Sequence, residues 1–196
     1  MIGLRPLLVP SWLSDGVQKI YYGDGKRIVI AGGTGAAEAG RDVIYLGISL
    51  RNAGRGIGVV HGWRFEVMRA PRAADQHPDL SEFRMQSRDL YIPPSDMGFW
   101  QGAFRDPDDP AYDDAYKAVT DGEPLAIDVL YGDYEGGQRA ISRFLLRRHG
   151  GQARPEAGEQ PRWLASVIRH WNIDRPDPRR PPAAPSPVHP GGPGSR

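Results

Sequence analysis

Between Asp42 and Asn52, apolar and polar positions alternate one by one. Ile44, Leu46, Ile48 and Leu50 fall on one side; Tyr45, Gly47, Ser49 and Arg51 fall on the other. A period of two over this length predicts a strand with one buried face. The pattern breaks at Asn52-Ala53-Gly54-Arg55-Gly56 and restarts with Ile57, Val59, His61, Trp63, Phe65 and Val67. Asn52, Gly54 and Gly56 are the residues best able to take left-handed conformations, so residues 42–68 read as one long antiparallel hairpin with a tight connection.

The same signal recurs along the chain. Leu4 to Val9 is a short apolar run, and Val17 to Tyr22 and Lys26 to Ala31 flank Gly23-Asp24-Gly25, a three-residue hairpin loop. Glu82 to Tyr91 and Met97 to Phe104 read as strands divided by Pro93-Pro94-Ser95-Asp96. Leu125 to Tyr131 and Arg139 to Arg148 enclose a glycine-rich turn. Trp163 to Trp171 fits a strand or two helical turns; its β surroundings favour a strand paired with residues 139–148. One segment interrupts the pattern. Asp109-Pro110 has the form of an N-cap followed by proline at the first helical position, which predicts a short helix from Ala111 to Val119, ending before Asp121-Gly122. Residues 70–80 and 149–160 read as polar loops. Short strands divided by glycine turns, almost without helix, predict a mainly β fold: an antiparallel β-sandwich over residues 1–174.

Composition sharpens this picture. Among 196 residues, 25 glycines and 19 prolines favour turns over long helices. There is no cysteine, which excludes disulfides, thiolate nucleophiles and cysteine-ligated zinc and suits a reducing compartment. From Arg175 to Arg196, 8 of 22 residues are proline. Such a segment cannot build a core and is predicted to be a disordered tail of polyproline character. That tail carries a net charge of +3 and the rest of the chain −2, so the body has no electrostatic footprint for nucleic acid. No stretch approaches the roughly 20 apolar residues of a membrane helix, and the first ten residues lack the form of a signal peptide. The sequence therefore predicts a cytoplasmic protein and does not support membrane association.

Four features invite a chemical reading. Ile28 to Gly35 is an apolar run entering Gly32-Gly33-Thr34-Gly35, as in a dinucleotide-binding turn. Only Ala36 to Gly40 separates it from the next strand, too few residues for a crossover helix, so a loop between antiparallel strands is the better reading. Asp106, Asp108, Asp109, Asp113 and Asp114 lack calcium-loop spacing, and helix capping explains them more simply. His61, His77, His149, His170 and His189 are scattered, and His61 and His170 read as structural histidines within strands. No catalytic, cofactor or metal residue is assigned. The aromatic residues are more suggestive, because Trp and Tyr on a sheet face can stack sugar rings or anchor a protein partner. Trp100, Tyr131 and Tyr134 are the candidate ligand-binding residues.

Residues 45–57, with Arg51-Asn52-Ala53-Gly54-Arg55-Gly56 between two strands, resemble a turn of bacterial immunoglobulin-like domains. Phe99 to Asp106, Leu130 to Arg139 and His170 to Asp174 resemble segments of a family of uncharacterised bacterial β-sandwich proteins. The resemblance implies an immunoglobulin-like sandwich and brings no catalytic residues with it. The expectation is a non-catalytic interaction or ligand-binding module, its partner an unspecified protein or small ligand. Glycan or small-ligand binding through exposed aromatics is the alternative, and an enzyme with a nucleotide-binding glycine loop stands behind both.

Overall fold

A computed structural model describes residues 4–69, 76–150 and 161–176. The polar loops read at 70–80 and 149–160 lie largely outside these residues, as does the predicted tail from residue 177 onward. Among the described residues the fold is mainly antiparallel β with one α-helix.

Eleven strands run in chain order: β1 (Leu8–Pro10), β2 (Gln18–Tyr21), β3 (Arg27–Ile30), β4 (Thr34–Ala39), β5 (Ile44–Asn52), β6 (Gly58–Val67), β7 (Arg84–Ile92), β8 (Met97–Phe104), β9 (Leu125–Gly132), β10 (Arg139–Arg148) and β11 (Trp163–Asn172). Nine form one curled, half-barrel sheet. Its order begins at β8, which pairs with β5, and continues through β4, β11, β10, β9 and β6 to β7. β1 shares an edge of β5 with β4, pairing along Leu50–Asn52 while β4 pairs along Ile44–Ile48. The hairpin β2–β3 stands apart and packs its Ile20, Tyr22, Ile28 and Ile30 on the outer face beside Ala36, Tyr45, Phe99 and Ala103.

The inward positions of β5 are those the alternation marks, whereas in β6 a register shift at His61 turns Val60 inward in place of Val59. Ile44, Leu46, Ile48 and Leu50 of β5 meet Leu125, Ile127, Val129 and Tyr131 of β9 in one core, with Trp63, Trp100, Phe104, Phe144 and Trp163. The helix α1 (Tyr112–Asp121) closes that core with Tyr112, Ala115, Ala118 and Val119. It starts one residue later than predicted. Asp109 accepts the Ala111 N–H in the turn before it, and Gly122 ends it in a left-handed conformation at φ 73°.

Three predicted hairpins are present: β2–β3 closes at Tyr21 and Arg27, β9–β10 at Gly132 and Arg139, and β10–β11 at Arg148 and Trp163. The central hairpin is a correction. β5 pairs with β1, β4 and β8, and β6 pairs with β7 and β9, so residues 42–52 and 57–67 are not ladder neighbours. In a curled sheet, strands on opposite walls face the same core, so two alternating runs on either side of a short connection need not pair. The 53–57 connection lies against the start of the chain instead. Ala53 N–H donates to Leu7 O, Arg55 N–H to Arg5 O, and the buried Asn52 carboxamide accepts from Leu7 and Gly54 N–H while donating to Gly56 O and Ile92 O.

Gly54 is therefore required by close approach and not by a positive φ. A Cβ there would sit 2.3 Å from Arg5 O and 2.5 Å from Leu7 N. Gly54→Val is expected to lower the urea midpoint by displacing β1, whereas Arg55→Ala leaves the unfolding free energy within about 0.5 kcal/mol of the parent. Equal midpoints for the two variants would show that residues 5–7 do not hold this connection.

The second correction is β4, read from sequence as loop. Thr34–Ala39 pairs with β5 over five residues and with β11 at Gly35 and Thr34. Its small side chains carry little strand signal, yet size is what the position demands: a Cβ on Gly35 would lie 2.7 Å from Leu146 Cδ2 and 2.8 Å from Gly47 O. A strand, not a helix, thus follows the Gly32–Gly35 turn.

Candidate functional site

The curled sheet ends at two strands that are consecutive in sequence. β7 and β8 are joined through residues 93–96, yet no ladder pairs them. β7 bonds to β6 in two stretches, Gly58–Val60 against Leu90–Ile92 and Gly62–Trp63 against Arg84–Met85. Between them residues 86–89 bulge opposite His61 alone, carrying the middle of β7 off its ladder. The resulting seam holds a cleft of about 610 Å³. β7 contributes Arg84 to Ser87, β8 contributes Gln101 to Ala103, Arg105 follows, and the β2–β3 turn roofs it with Tyr22, Gly23 and Asp24.

Trp63 forms part of the floor. It packs edge-on against Trp100 and Phe104, each with ring centroids 5.4 Å away. Gly102 makes room for this pair, since a Cβ there would meet Trp100 at 2.6 Å and Trp63 at 3.0 Å. The charges on the walls are paired. Arg84 forms a two-pronged ion pair with Asp109 and lies over the Trp63 and Phe104 rings. Arg105 donates to Asp24 Oδ2 at 2.5 Å, and the Tyr45 hydroxyl donates to the same oxygen at 2.7 Å. Arg105 first, then Tyr45, hold the Asp24 carboxyl well below the usual carboxylate range.

A side-chain hydrogen bond crosses the seam. Gln86 Nε2 donates to the Gln101 backbone carbonyl at 2.9 Å, which fixes the orientation of the Gln86 amide and leaves its oxygen on the far side. That oxygen is buried and without a hydrogen-bond partner among the described residues, as is Gln101 Oε1, on a side chain in a residue only 7 % exposed. A buried, unsatisfied carboxamide oxygen costs about 1–3 kcal/mol, and both of these belong to residues that line the cleft.

Comparisons of the chain with protein-family models, with curated proteins and with solved structures find no match. The functional reading therefore rests on the site itself.

A second groove, of about 580 Å³, runs along Leu4–Leu7, Gly54, Arg55, His170 and Asn172. Beneath it Tyr131, Ser142 and His170 share hydrogen bonds: Tyr131 OH lies 3.0 Å from Ser142 Oγ and 3.3 Å from His170 Nδ1. The arrangement has the residue types of a nucleophile and base but not their availability. Ser142 is fully buried and donates its hydrogen to Leu8 O at 3.0 Å, while Tyr131 OH accepts from Leu8 N–H. Burial pushes the Tyr131 hydroxyl up to about 12. The trio fastens β1 to β9, β10 and β11. Its register signal, Ser142 opposite His170, is visible only once β10 and β11 are paired.

The sequence-chosen residues fall in different places. Trp100 and Tyr131 are fully buried, and Tyr134 is exposed on the turn after β9. They share no surface. Trp63, Trp163 and Trp171 are also buried, so the tryptophans of the sheet fill core. His61 and His170, read as structural, lie half-buried in β6 and β11. Of the aspartates, Asp109 holds Arg84 and Asp114 holds Arg69. Sequence reasoning missed Gln86 and Gln101, which sit among strand residues with nothing in their spacing to mark them. Among the described residues no helix is long and apolar enough to cross a membrane.

Proposed function

We propose that this chain is a non-catalytic binding module, built on the immunoglobulin-like sandwich its sequence resembles, which holds a neutral hydrogen-bonding ligand in the β7–β8 seam. The observation that carries this reading is Gln101 Oε1, a buried acceptor without a partner among the described residues, on a residue that lines the cleft. The cleft has the size of a small-ligand site. Its wall charges are already paired, which favours a neutral ligand over an ionic one. The nearest approach to a nucleophile and base, Ser142 with His170, has its hydroxyl hydrogen committed to Leu8 O, which favours binding over catalysis. The reading carries with it a cytoplasmic setting, which the absence of cysteine suits.

The test is titration of isotope-labelled protein with N-methylacetamide, glycerol and glucose, followed residue by residue by NMR. Saturable shifts are expected at residues 84–87 and 101–105, and they vanish in Gln101→Leu. That variant loses a buried unsatisfied group, so its stability is expected to equal or exceed the parent's. Shifts confined to the groove at Leu4–Leu7, or none with any probe, would refute the seam as the site.

A further inference from the structure

We infer that the occupant of the seam is an extended peptide segment of a partner protein, added as a strand to the open edge of β8; this rests on the reading of the seam as a binding site. The edge can be assigned residue by residue. Ser49 O accepts from Ser11 N–H and Ala53 N–H donates to Leu7 O, so the odd residues of this stretch turn their backbone groups toward β1 and β4. Asn52 N–H donates to Asp96 O, so the even ones turn toward β8. The register pairs Ile48 with Trp100 and Leu46 with Gly102. Alternation along an antiparallel ladder then directs the Trp100 and Gly102 backbone groups at β5, and those of Phe99, Gln101 and Ala103 at the seam.

The bond from Gln86 to Gln101 O agrees with that assignment. A side-chain amide there occupies the position where a neighbouring strand would place its N–H. Main-chain groups of Gln101 and Ala103 face the cleft that both residues line, and an incoming strand would take the place of the Gln86 amide on Gln101 O. A peptide backbone supplies N–H and C=O groups in that alternating order, the chemistry of strand addition. The paired wall charges select neutral side chains where the segment passes Arg84 and Arg105. The bulge at residues 86–89, with Arg88 and Asp89 exposed, keeps β7 from pairing freely with any other chain, so entry is confined to the β8 side.

The experiment selects linear dodecapeptides from a phage-displayed library on the full chain and maps the recovered peptides by NMR. Shifts are expected at Gln101, Ala103 and residues 84–87. N-methylation of the peptide residues that face β8 is expected to weaken binding about tenfold per lost hydrogen bond, while methylation of the intervening residues has little effect. Ala103→Pro, which removes one edge N–H, is expected to act like the first class; should it fail to fold, the methylated peptides decide alone. Three outcomes overturn the inference: recovered peptides that bind elsewhere, equal effects of the two methylation patterns, or dimers in sedimentation that shift the same residues, which would make a second copy the occupant. If N-methylacetamide or the polyols bind the seam and no peptide does, the strand inference fails while the binding reading stands. If neither binds there, both fail.

Discussion

Asp128→Ala is expected to destabilise the protein by about 3–5 kcal/mol, measured by urea unfolding. Asp128 points to the outer face of β9 and is 1 % exposed. Arg143, across the ladder on β10, donates to both its oxygens at 2.6 and 2.8 Å. Arg64 of β6 adds a third bond at 3.2 Å and is itself held by Glu66 and Glu82. Trp171 lies against the Arg143 guanidinium, 5.3 Å from ring centroid to charge. Removing Asp128 leaves that guanidinium buried without its two-pronged partner and with Glu66 3.9 Å away, and breaking a buried pair from one side is the costly case. The loss would be a large share of the roughly 5–15 kcal/mol that holds a typical domain together. Asp128→Leu combined with Arg143→Met removes both charges and is expected to cost far less than the single change. A single variant within about 1 kcal/mol of the parent would show that the pair is solvated.

Trp100→Ala is expected to cost about 3–5 kcal/mol, seen as a fall in both Tm and urea midpoint. Trp100 is fully buried and packs on Trp63, which in turn packs on Phe104. Truncation opens a cavity beneath Gly102, directly under the seam. The effect on ligand binding should follow the loss of fold, in contrast to Gln101→Leu, which removes binding and keeps stability. A Trp100→Ala protein of parental stability would place the indole on a surface and restore it as a ligand-stacking residue.

Much of the strand content was legible because one face of each long strand is buried. The alternation in β5 marks the residues that fill the core; in β6 it holds from Trp63 to Val67, while the bulge at His61 turns Val60 inward and leaves Ile57 exposed. What alternation cannot carry is the partner. Ile44 to Leu50 and Val60 to Trp63 look inward from different walls, so matched periodicity suggested a hairpin where the sheet has none. β4 escaped notice for a related reason: Thr34-Gly35-Ala36-Ala37 is small to fit against Gly47 and Leu146, and small residues leave no apolar pattern. The tryptophans and tyrosines drew attention as possible stacking surfaces, yet most of their area is spent on packing. The seam was invisible in sequence because it is made by an unmade ladder. Gln86 and Gln101 acquire meaning only when β7 fails to pair with β8 and the Gln86 amide reaches across to the Gln101 main chain.

The most direct test of this account is native-state hydrogen exchange of four consecutive amides on β8. Trp100 and Gly102, bonded to β5, are expected to exchange slowly. Gln101 and Ala103, turned to the seam, are expected to exchange markedly faster and to become protected when a selected peptide is added. Uniform slow exchange at all four positions without peptide would mean that β8 is already paired on both edges, and the seam would not be a binding site.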